Sequence, residues 1–116
     1  MALTATTLQR LSSAYGYDAT VVKAVGDTSY PTGGYAVTPA LFGFNAFATD
    51  GLGTGLPPTL GNYAILGDAM GTPDTWYSAI NPANGNLQLF VTTTGVEVAA
   101  AVNVSTFAVV LEALGH

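Results

Sequence analysis

The side chains able to do chemistry in this chain are few and widely spaced. Seven carboxylates, Asp18, Asp27, Asp50, Asp68, Asp74, Glu97 and Glu112, are the groups best suited to acid–base work or cation binding. A pair converging in one cleft could hydrolyse a glycoside, and a cluster could ligate calcium. Their neighbours favour a plainer role. Gly26-Asp27, Asp50-Gly51, Gly67-Asp68 and Pro73-Asp74 are turn dipeptides, in which the Asp side chain bonds nearby backbone. Gly51, Gly53 and Gly55 suggest a phosphate or calcium loop, but neither a Gly-Lys-Ser/Thr sequence nor an alternating Asp series accompanies them. His116 is the single histidine and stands last, where a general base is poorly positioned. With no cysteine there is no Cys–His pair, and a Ser-His-Asp triad would have to use that same histidine. These residues predict no catalytic group, no metal, no cofactor and no enzyme.

The aromatic residues Tyr63, Trp76, Tyr77 and Phe90 offer a different chemistry. Flat rings on adjacent strands could stack against sugars, with Trp76 and Tyr77 as the contacts of a carbohydrate-binding module or fibre-associated domain. The same rings could fill a core or form an interface hot spot, and the residues alone leave all three readings open.

Charge narrows the partners further. DEKR residues make up 8% of the 116 residues, hydrophobic residues 49%, and the net charge is −5. Soluble proteins average about 25% charged residues, so an exterior this poor in charge is expected to be covered by a partner or by other copies of the chain. Arg10 and Lys23 are the two cations, too few to neutralise a nucleic-acid backbone or to hold an anionic membrane. The longest apolar stretches fall short of a membrane-spanning helix, which needs about 20 such residues. The opening MALTATTLQR lacks the basic and apolar regions of a secretory signal. The absence of cysteine removes any dependence on a redox compartment.

The elements that would carry these residues read as strands. Fourteen glycines and six prolines punctuate segments rich in Val, Thr, Tyr, Phe and Leu, the spacing of an all-β antiparallel sandwich or jelly-roll-like barrel. A chain of this length fits one domain, 1–116, with one core. Strands are predicted at 8–13, 19–25, 40–48, 62–68, 75–80, 86–92 and 106–114. The first two form a hairpin with Lys23 facing outward, and the third carries a possible bulge at Gly43. The Pro and Gly residues of 26–35 and 50–61 predict irregular loops, and Asn84-Gly85 a hairpin turn. Alternation places Leu87, Leu89 and Val91 on one face of a strand, and Phe107, Val109, Leu111 and Ala113 on one face of another. A helix over 96–114 is the alternative at the carboxyl end, disfavoured by its Val, Thr, Asn103 and Ser105.

The run Ser29-Tyr30-Pro31-Thr32-Gly33-Gly34, followed by Val37-Thr38-Pro39 and Leu41, resembles a family of small tailed-phage virion proteins. So does the later order of an Asn-Gly turn, Leu87-Gln88-Leu89-Phe90, then Thr94-Gly95-Val96-Glu97-Val98-Ala99 and an ending Leu114-Gly115. This chain has fewer basic residues and a more Ala/Gly-rich middle than that pattern. The resemblance implies a capsid decoration, or cement, protein. Such a protein is made in a bacterial host cytoplasm, sits on the virion's outer capsid surface and joins major capsid subunits. Lattice symmetry makes a homotrimer the natural form. The expected docking surface is an edge strand and two loops, with Ser29, Tyr30, Pro31, Thr32, Gly33, Gly34 and Tyr35 in one and Leu56, Pro57 and Pro58 in the other.

Overall fold

Strict alternation in two segments sets the architecture. In Asp18–Val25 and Ala108–Gly115, Val22, Ala24, Val109, Leu111 and Ala113 are buried, while Lys23, between Val22 and Ala24, and Glu112, between Leu111 and Ala113, are exposed. Each aliphatic side chain so buried contributes about 1.5–3 kcal/mol, which holds the pairing register against a slip of one residue. The computed structural model describes residues 3–12, 17–48 and 62–116. Within them lie six strands, β1 (Thr4–Ser12), β2 (Asp18–Val25), β3 (Asn62–Asp68), β4 (Trp76–Ile80), β5 (Leu87–Val91) and β6 (Ala108–Gly115).

The strands form two antiparallel sheets, a four-stranded one ordered β1-β2-β6-β3 and a β4-β5 hairpin. The inner face of the larger sheet, with Val22, Ala24, Tyr63, Val109, Leu111 and Ala113, shares one core with Leu87 and Leu89 of the hairpin. Tyr30, Tyr35, Phe42, Phe44, Val98, Val104 and Phe107 fill it from the connecting segments. The protein is therefore all-β and antiparallel, as its punctuation predicts. The strand predicted at 106–114 runs from Ala108 to Gly115, and no helix forms there. The turn before β5 closes through Asn81 N–H to Asn86 O at 2.9 Å and Gly85 N–H to Asn81 O at 2.7 Å, with Gly85 at φ 76°.

The predicted strand at 40–48 is corrected. Pro39–Phe42 forms a 3₁₀ turn, with Pro in its first turn and Gly43 ending it in the left-handed region at φ 76° and ψ 21°. Proline suits a first helical turn and glycine the left-handed cap, so the expected bulge at Gly43 is a helix stop. The aromatic spacing that suggested a strand serves a ring cluster instead. Phe42 contacts Phe44 and Phe47, and Phe47 contacts Tyr63, closing one end of the core. The predicted loop 50–61, with Leu56, Pro57, Pro58, Asp50 and the three spaced glycines, lies outside the described residues, as do residues 13–16 of the first hairpin.

Candidate interaction surface

Loop 26–35, which carries the expected docking residues 29–35, is tied into the interior by its two tyrosines. Tyr30 and Tyr35 are each 1% exposed. The Tyr30 hydroxyl donates to Glu97 Oε2 at 2.8 Å and accepts the Leu89 N–H at 3.0 Å. The Tyr35 hydroxyl donates to Asp27 Oδ1 at 2.8 Å and accepts the Asp27 N–H at 3.0 Å. Burial, reinforced by the neighbouring carboxylates, raises both phenol pKa values, that of Tyr35 to about 12, so both rings stay neutral donors at ordinary pH. Main-chain bonds complete the tie. Tyr35 and Leu87 exchange both of theirs, Tyr30 N–H reaches Val102 O, and Val104 N–H reaches Asp27 O.

The loop thus pins the β5 hairpin to the segments flanking β2 and β6. Gly34, at φ 97°, lies so close to β5 that a side-chain carbon there would stand 2.6 Å from Leu87 O. The docking role expected of Tyr30, Gly34 and Tyr35 does not fit this placement, because folding already covers them. Thr32 is exposed at the tip, with Ser29, Pro31 and Gly33 half-buried beside it.

The aromatic platform also divides. Consecutive residues of a strand point to opposite faces, and Trp76 packs inward against the core while Tyr77 is 43% exposed. Tyr77 stacks on its cross-strand partner Phe90, ring centroids 5.3 Å apart, so each ring uses one face on the other. Tyr63 is buried and donates to Gly85 O at 2.8 Å. Trp76 and Tyr77 therefore cannot share one sugar-stacking surface.

Three of the carboxylates hold structural contacts. Asp27 and Glu97 hold tyrosines, and Asp18 pairs with Arg10 at 2.8 Å. Arg10 in turn lies over Phe44, 5.1 Å from the ring centroid. Among the described residues no three acidic or histidine side chains gather as metal ligands. The main chain of His116, expected to be poorly positioned, bonds Asn45 and Ala46 at 2.8–3.1 Å.

Among the described residues the larger sheet presents open edges. Strand β1 lies at its edge, and every residue of it is exposed except the half-buried Ala5. Its sequence, TATTLQRLS, lacks an apolar face, and that is the signal by which a strand with little to bury could have been found. Leu8 and Leu11 are 55% and 56% exposed, and a bulge between Thr7 and Gln9 accommodates Leu8 as the extra residue. The far edge, β3, repeats the device with a bulge between Ile65 and Gly67 and Leu66 54% exposed. No helix among the described residues is long and apolar enough to cross a membrane. Compared with protein-family models, curated proteins and solved structures, the chain finds no match.

Proposed function

We propose that this chain is a non-enzymatic assembly domain of the capsid-decoration type, which binds the outer surface of a phage shell, bridges major capsid subunits and packs against copies of itself, with three as the natural number. The observation that carries this reading is β1. It is a nine-residue edge strand with exposed leucines and, among the described residues, one unpaired side. Such a strand spans about 30 Å and offers a row of main-chain donors and acceptors to a partner's sheet. The order of motifs shared with small virion proteins supports the same reading. A domain that binds the assembled lattice better than free subunits stabilises the shell by mass action.

The test is sedimentation with capsids that lack the protein. The wild-type chain is expected to co-sediment. The double substitution Leu8→Asp with Leu11→Asp is expected to reduce capsid occupancy at least tenfold with the melting temperature little changed, because both side chains are exposed. Unchanged occupancy in the double variant, or a wild-type chain that stays in the supernatant, overturns the proposal.

A further inference from the structure

On the two central strands of the four-stranded sheet, β2 and β6, the outer face is apolar around two opposite charges. On β2 it presents Ala19, Val21, Lys23 and Val25, and on β6 the opposing Leu114, Glu112, Val110 and Ala108. At the ends of β6 the chain itself bonds the main chain beside this face, and Ala108 is buried. Thr72 Oγ1 donates to Ala108 O at 2.8 Å, and Ala48 N–H donates to Leu114 O at 2.9 Å. Along the face Ala19, Val21, Val25, Val110 and Leu114 are half-buried, and Lys23 and Glu112 are exposed. The register sets Lys23 opposite Val110 and Val21 opposite Glu112, so the two charges sit diagonally across adjacent strands. Among the described residues Arg10 pairs with Asp18, whereas no ion pair ties Lys23 within its own copy.

We propose that this face is a contact between copies of the chain, in which Lys23 of one copy pairs with Glu112 of another while the surrounding valines and leucine are buried. The patch is complementary to itself, since each copy carries one charge of each sign and an apolar surround. That favours a second copy over an unrelated partner. In a two-fold pair both ion pairs form across one interface. In a three-fold ring each copy gives Lys23 to one neighbour and Glu112 to the other. The inference deepens the copy-packing part of the proposed function but needs no capsid.

The experiment is sedimentation equilibrium of the purified chain across a concentration and salt series, with Lys23→Glu, Glu112→Lys and the double exchange. The wild-type chain is expected to self-associate. Each single reversal sets like charges face to face and should raise the dissociation constant roughly tenfold or more, and the double exchange should restore most of that loss. Both side chains are exposed, and thermal melts check that each variant folds. A wild-type monomer at all concentrations, or a double exchange no better than the singles, overturns the inference. A chain that self-associates in this way yet ignores capsids would refute capsid docking alone, and a monomer that binds capsids would refute this contact alone.

Discussion

Loop 26–35 and strand β1 carry their exposure in the reverse of the usual order. The loop, with no strand of its own, buries two tyrosines at 1% exposure and satisfies their hydroxyls with Asp27, Glu97 and the Leu89 N–H. The strand, nine residues paired along its length but for one bulge, leaves all but one of its side chains exposed. Loops normally carry function on a rigid scaffold, and here a loop is part of the scaffold while an edge of the scaffold is the open surface. The difference lies in composition. Tyrosine and asparagine in the loop and hairpin can satisfy buried main chain, whereas threonine, glutamine and serine in β1 satisfy themselves with water. A charge-poor protein can therefore have a well-tied core and still present a surface to be covered.

The largest blow to the loop's side of this contrast is Tyr35→Ala, which removes a buried ring and the partner of Asp27. It is expected to destabilise by about 3–5 kcal/mol in a denaturant titration. Tyr30→Phe keeps the ring but strands the Leu89 N–H and the Glu97 carboxylate, and should cost about 1–3 kcal/mol. A loss below the error of the titration for either would mean that the loop is not the tie described.

Alkaline pH probes the same tie without a full truncation. The Tyr35 phenol is raised from 10.0 to about 12 by burial and by Asp27, and that of Tyr30 is raised too. The folded state thus keeps protons that the unfolded chain releases. The associated stability is complete below pH 10 and is lost as pH rises through 12. Tyr35→Phe should flatten that decline, measured as stability against pH.

A smaller effect, of opposite sign, is expected beside the strand. Thr20 on β2, opposite Arg10 of β1, is fully buried with its hydroxyl unpaired. Thr20→Val keeps the shape and removes that orphan, so it should stabilise by about 1 kcal/mol in the same titration.

Much of this architecture is legible in the sequence. Val22, Ala24, Val109, Leu111 and Ala113 alternate cleanly, so β2 and β6 and their inward faces follow from period alone. Asn84-Gly85 marks its turn because Gly85 takes a positive φ. Segment 39–48 misleads because Phe42, Phe44 and Phe47 look like strand residues, while the Pro39 and Gly43 that bound a 3₁₀ turn speak more quietly. Tyr30 and Tyr35 mislead for a different reason. Pro and Gly around them predict a loop correctly, but burial depends on Glu97, Leu87 and Leu89, more than fifty residues away, and no local pattern encodes that contact. The open face is visible only in register, which sets Lys23 beside Val110 and Glu112 beside Val21.

The claim that joins these parts is that β1 meets a partner and loop 26–35 does not. Hydrogen exchange read by mass spectrometry, on the free chain and on the chain bound to capsids, compares the two regions in one experiment. The account predicts new protection over Thr4–Ser12 on binding, with 26–35 equally slow in both states. Protection gained in 26–35 with none in β1 would contradict it.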